Sequence, residues 1–171
     1  ARLAAAGAAN GLAQTLLKLT APGVPDIYQG AEGWDLSLVD PDNRRPVDWP
    51  GLRRQLEAGA RLDELAADWR SGAVKQALIR RVLAWRRQHA GLFARGRYLP
   101  LRVEGPAEAH AFAFARLHGD EAAIAMVLPD EIAGRAYRDV VGGAELAPDG
   151  HKVTLATALA RLPVALLGSA A

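Results

Sequence analysis

At 171 residues the chain has room for one good domain or two small ones, and its 23 % of charged residues suit a folded soluble protein and argue against disorder. The lack of cysteine rules out disulfides, thiol catalysis and cysteine-held metals and is consistent with a reducing, cytoplasmic setting, while no apolar run approaches the ~20 residues that span a membrane. A net charge of +2 is nearly balanced, and Arg53-Arg54, Arg80-Arg81 and Arg86-Arg87 alternate with acids and apolar residues as solvated helix edges, so there is no clustered basic face for nucleic acid.

Residues 3–19 predict an alanine-rich helix, because Leu12, Leu16 and Leu19 recur at i, i+4 and i+7. Gly7 and Gly11 either weaken it or admit a close neighbour. Pro22 and Pro25 stop it, since proline lacks the amide hydrogen that a helix interior needs. Val24–Tyr28 is apolar, bracketed by Pro25 and Gly30, and predicts one short strand. Residues 29–50 follow no period of 2 or 3.6 and predict a long loop. Loops of such length in compact domains are usually functional or disordered, and Trp34, Leu36, Leu38, Val39 and Trp49 argue against disorder.

Leu52–Trp69 predicts a helix, with Leu52, Leu56, Leu65 and Trp69 near one stripe. Ser71 is placed to cap the next helix, about 73–90, where Val74, Leu78, Val82 and Trp85 track one face and Ile79 and Leu83 widen it. Gly91 and Gly96 mark its exit. After Gly96 the period changes. Tyr98–Val103 is strand-like, and His110, Phe112, Phe114 and Arg116 alternate with alanines. Gly119-Asp120 signals a hairpin turn, with Ile124–Leu128 returning from it. Val140-Val141, Pro148-Asp149-Gly150 and Lys152–Leu155 suggest a second hairpin, and Val164–Leu167 a last strand. Short strands joined by turns predict an antiparallel sheet or sandwich.

The chemistry concentrates in residues 20–49. Asp26, Glu32, Asp35, Asp40, Asp42 and Asp48 lie among Gln29, Asn43, Arg44 and Arg45, with Tyr28, Trp34 and Trp49 interleaved. Sugar hydroxyls both donate and accept, and carboxylates, amides and forked guanidinium groups satisfy them in pairs. Flat aromatics make floors for the apolar C–H faces of pyranose rings. A second reading stands beside this one. Asp40-Pro41-Asp42-Asn43 is a good turn former by itself, the arginines can simply neutralise nearby acids, and Trp49 can be core. A calcium loop does not fit, because Arg44 takes a ligand position and the turn glycine is absent. His89, His110, His118 and His151 have no ligand spacing, and Ser37, Ser71 and Ser169 lack a nucleophile-elbow context. No metal or cofactor is expected.

The run Pro22-Gly23-Val24-Pro25-Asp26-Ile27-Tyr28-Gln29-Gly30, followed by Glu32, resembles the eighth barrel strand of the α-amylase superfamily. Trp34-Asp35-Leu36-Ser37-Leu38-Val39-Asp40-Pro41-Asp42-Asn43-Arg44-Arg45-Pro46-Val47-Asp48 is similar to a stretch typical of the malto-oligosyltrehalose synthase family. Leu83–Arg87, leading to Leu92-Phe93 and Gly96-Arg97-Tyr98, looks like the superfamily's last barrel helix and its exit. The Ala31–Trp34 stretch departs from the family, which more often has a larger polar and an apolar residue there.

The resemblance implies an α+β fold. Residues 1–95 would be the mostly helical remnant of the last (β/α) units of a TIM-type barrel, and 96–171 an antiparallel, β-sandwich-like C-terminal domain. Barrel active sites lie at the downstream ends of the strands, which places the 29–49 loop on the functional face. The implied reaction is an intramolecular transglycosylation. It turns the reducing-end α-1,4 linkage of a malto-oligosaccharide into an α,α-1,1 linkage, through a carboxylate nucleophile and an acid about 5 Å apart. In the family these carboxylates come from earlier strands, and none in this chain matches them. The catalytic set is therefore expected in a barrel portion upstream of Ala1. Gln29, Glu32, Trp34, Asp35, Asp40, Asn43 and Arg44 are the expected substrate-binding residues, some touching sugar and others holding the loop. The expected partners are the malto-oligosaccharide and that upstream portion. Without the latter, an exposed apolar face predicts self-association.

Overall fold

The computed structural model describes residues 2–104, 111–125, 137–139, 145–146 and 165–169. Five helices precede the described strands: α1 Arg2–Thr20, α2 Trp49–Ala58, α3 Leu62–Ala67, α4 Ala73–Gln88 and α5 Ala90–Arg95. The strands are β1 Arg97–Leu101, β2 Ala113–His118, β3 Glu121–Ala125, β4 Tyr137–Asp139, β5 Glu145–Leu146 and β6 Leu167–Ser169. They form one antiparallel sheet in the order β1-β2-β3-β6-β4-β5. Helices and a small antiparallel sheet make the fold α+β. The described strands all join in this single sheet.

The two periodicities that are strongest in the sequence build the core. Leu12, Leu16 and Leu19 of α1 are buried against Val74, Leu78, Ile79 and Val82 of α4. Leu62, Leu92 and Phe93 close this cluster, and Ala123 and Leu166 reach it from the sheet. Leu83, at the margin of the apolar stripe, stays exposed. The opposite face of the sheet carries Ala113, Ala115, Ala122, Ile124, Ala165 and Leu167. Side chains alternate across a strand, so the alanines of β2 fall on that face and Phe114 and Arg116 on the helix side. The β2–β3 hairpin turns at Gly119-Asp120, with His118 opposite Glu121.

Several expectations need correction. Val24–Tyr28 forms no strand. A strand exists only in a ladder, and among the described residues nothing pairs with this segment; Val24 is 94 % exposed. The helix expected over Leu52–Trp69 is broken into α2, α3 and a 3₁₀ turn at Trp69–Ser71. The break falls at Gly59, which takes a left-handed conformation (φ 62°) and ends α2, as glycine does at little steric cost. Gly72, not Ser71, occupies the cap position of α4; the Ser71 hydroxyl donates to the Asp68 carbonyl at 2.9 Å and accepts a long bond, 3.4 Å, from the Ala73 amide. Of the two glycines expected at the exit, Gly91 lies inside α5 and Gly96 ends it. The second hairpin, expected at Val140-Val141 and 148–155, lies outside the described residues, as do His110 and His151.

Leu78 is fully buried at the centre of the α1–α4 contact. Leu78→Ala is expected to destabilise the fold by roughly 2–5 kcal/mol, while Leu83→Ala stays within about 1 kcal/mol, as read from urea denaturation midpoints.

Candidate functional site

The loop between α1 and α2 is irregular apart from a 3₁₀ turn at Asp42–Arg44. It is held from its inner side by Trp34. The indole Nε1 donates to the Trp69 carbonyl at 2.6 Å. The ring packs against the helical core, and a Cβ on Gly11 would lie 3.1 Å from it. Gly72 has φ +79°, and a Cβ there would stand 2.9 Å from the Trp34 amide nitrogen, so this close approach requires glycine. Lys75 adds a second tie. Its ammonium donates to the Gly33 carbonyl at 2.9 Å and lies 5.7 Å from the centre of the Trp34 ring. Burial, then the charge of Lys18, pulls the Lys75 pKa down, while Asp35 and Glu32 pull the other way.

Farther out the loop is wrapped by its own polar groups. Asp35 accepts from the Ser37 amide at 2.9 Å and from the Ser37 hydroxyl. Asp42 accepts from the Leu38 amide at 2.7 Å and pairs with Arg45. Asp40 pairs with Arg44, four residues on. The loop ends where Asp48 accepts from the Gly51 amide at 2.9 Å, capping α2, with Pro50 in the first turn. Hydrogen bonds to the charged form hold two carboxyls below the usual range. For Asp35 these come from the Ser37 side chain and then its backbone, for Asp42 from the Leu38 backbone.

These contacts leave a cleft of about 410 Å³ between the loop, the start of α2 and Ser71. Its walls bring together Gln29, Trp34, Asp35 and Asn43 of the expected set. Glu32, Asp40 and Arg44 do not line it. Glu32 is half-buried, with Oε2 shielded from solvent and bonded to nothing. Asp40 and Arg44 face solvent and satisfy each other. Asn43 also carries a shielded Oδ1 with no partner. The sequence did not single out Asp42, Arg45 and Gln55, which line the cleft too. Asp42 and Arg45 stood in the same polar run. Gln55 had no local signal, because only the packing of α2 brings it there. Of the aromatics, Trp34 is an internal anchor, whereas Tyr28 and Trp49 are about half exposed. Among the described residues no cluster of acids and histidines fits a metal ion.

No protein-family model matches the chain. A curated protein of Mycobacterium tuberculosis named maltooligosyl trehalose synthase is 44 % identical over 119 residues, which is 68 % of this chain and 14 % of that protein. The solved maltooligosyltrehalose synthase of Arthrobacter ramosus superposes with a TM-score of 0.75 at 38 % identity, over 99 % of this chain and 23 % of that one. The chain is a relative of the maltooligosyltrehalose synthases, and its match fits a C-terminal part of them. It spans 14 % of the length of the curated relatives. An α-amylase of Geobacillus thermoleovorans, solved with acarbose, shares the fold at 18 % identity, with a TM-score of 0.61 over 94 % of this chain and 33 % of that one. With an α-amylase this synthase relative therefore shares the fold alone. No described helix is long and apolar enough to cross a membrane.

The two tryptophans of the synthase-like loop should separate in a stability measurement. Trp34→Ala is expected to cost roughly 2–5 kcal/mol and Trp49→Ala under about 1 kcal/mol in urea denaturation. The acid side gives a further test. Because Asp35 and Asp42 have pKa values lowered from 3.8, their contribution to loop order is complete above that value. It is lost as pH falls through their lower folded values. Carboxyl carbon titration should give midpoints below 3.8 for both.

Proposed function

We propose that this chain is the C-terminal part of a longer enzyme that converts the reducing-end α-1,4 linkage of malto-oligosaccharides into an α,α-1,1 linkage by intramolecular transglycosylation. In this reading residues 1–95 are the end of a (β/α)₈ barrel, residues 96–171 are its β domain, and the 29–49 loop is one wall of the saccharide cleft. One observation carries it. The polar run that resembles the synthase family folds into a solvent-open cleft, with Gln29, Asp35 and Asn43 on its walls. These groups offer amide donors, amide acceptors and a carboxylate held in its charged form, which is a set suited to glucose hydroxyls.

The roles then divide. Gln29, Asp35 and Asn43 bind sugar. Trp34 lies on the inner side of the loop and holds it, and Glu32 adds negative charge near Lys75. Asp40 and Arg44 brace the outer turn. The nucleophile and the general acid, which a retaining reaction needs about 5 Å apart, come from the barrel portion that precedes this chain, so the chain alone is inactive. Isomerisation requires the released glucose to stay in place while water is kept out, and an ordered loop over the cleft serves that. The exposed Val24 and Leu36, at 94 % and 90 %, fit surfaces that the rest of the barrel covers.

A hydrolase of the same superfamily is the competing reading, since it shares the fold. Product analysis separates the two. With maltopentaose as substrate, the intact enzyme should give mainly the trehalosyl isomer. Asp40→Asn and Arg44→Met should each raise free glucose several-fold relative to that isomer. A wild type that releases glucose as its main product would make the protein a hydrolase, and unchanged ratios in both variants would remove the loop from the reaction.

A further inference from the structure

Arg116 is charged and 2 % exposed, yet its described partners include no carboxylate. It sits on β2 and points into the helical layer. Its guanidinium donates to the carbonyls of Phe93 and Gly96 at 2.9 Å, and more weakly to Thr20 at 3.3 Å and Leu92 at 3.4 Å. Its Nε is buried without a partner. Arg86 of α4 approaches from the other side, donating to the carbonyls of Leu19 at 2.9 Å and Gly23 at 2.8 Å. Both cations lie near the Phe93 ring, the central carbon of Arg86 at 4.7 Å and that of Arg116 at 6.0 Å from its centre.

Burying a guanidinium without a counter-charge is costly unless its donors find acceptors. Here the acceptors are the end carbonyls of α1 and α5, the negative ends of their dipoles. Core stability alone would be served by an apolar pair of the same volume. What the arginines add is direction. Their bonds land on Leu19, Thr20 and Gly23, where the chain leaves α1 and turns toward Tyr28, Gln29 and the cleft.

The geometry points to Arg116 and Arg86 as positioning residues that fix the root of the cleft loop, Arg116 tying it to the β-sheet and Arg86 to α4, so that sheet and helix together set where the loop begins. This rests on the reading of that loop as a saccharide wall. The two arginines touch no substrate and act through the backbone of residues 19–23.

Hydrogen exchange and product analysis on the intact enzyme test this together, in Arg116→Met, Arg116→Lys and Arg86→Met. Amides of residues 21–34 should exchange at least tenfold faster in both methionine variants, with the α4 core amides unchanged. Lysine at 116, which keeps the charge but loses the fork, should restore part of the protection. Free glucose should rise relative to the isomer in step with the loosening. Wild-type exchange over 21–34 in both methionine variants overturns the positioning role and leaves the cleft reading intact. So does loosening spread evenly over the whole fold. Faster exchange with an unchanged product ratio instead overturns the cleft reading, and the positioning role falls with it. If Arg116→Met does not fold, Arg116→Lys decides for the tie to the sheet, and Arg86→Met, at a partly buried side chain, for the tie to α4.

Discussion

A single half-buried indole gives the long loop its shape. Residues 29–48 make no ladder and only one short 3₁₀ turn, so no repeating backbone bonds hold them. Trp34 replaces that missing order. Its ring sits on the helical core, its N–H is satisfied by the Trp69 carbonyl, and Gly11 and Gly72 leave the space it needs. Once Trp34 is fixed, Gly33 comes within reach of Lys75, and Asp35 is carried to the rim of the cleft. An ordered loop must offset roughly 1–2 kcal/mol of backbone entropy per residue, which a partly buried aromatic with a satisfied hydrogen bond can begin to do.

The charged groups of the loop play a different part. Asp40 with Arg44 and Asp42 with Arg45 are solvent-facing pairs close in sequence. Exposed pairs of this kind contribute about 0–1 kcal/mol each, too little to order a loop. Their effect is local shape. By engaging each other and the Leu38 amide, they leave Gln29, Asn43 and the outer face of Asp35 open to the cleft.

The sequence was most legible where a period ran long. Leu12, Leu16 and Leu19 located α1, and Val74, Leu78 and Val82 located α4, because a helical stripe of buried side chains needs no knowledge of its partner. Gly119-Asp120 marked the β2–β3 turn for a similar reason, since turn chemistry is local. The failures were tertiary. The stripe from Leu52 to Trp69 concealed a break, because residues on both sides of Gly59 pack toward α4. Val24–Tyr28 has strand-like composition, but pairing is decided by neighbours. Trp34 and Trp49 could not be told apart, since the same ring serves as sugar floor or core anchor. Gln55 was invisible because α2 brings it to the cleft from outside the polar run. The alternation around Arg116 put a cation on a buried face, a contradiction resolved only by carbonyls from α1 and α5.

Whether the groove beside Trp34 receives glucose units is decided by a crystal structure of the intact enzyme with maltopentaose bound. Sugar hydroxyls are expected within hydrogen-bond distance of Gln29, Asp35 or Asn43, with the Trp34 indole still on the Trp69 carbonyl. An oligosaccharide bound elsewhere, with this groove filled by protein, would contradict it.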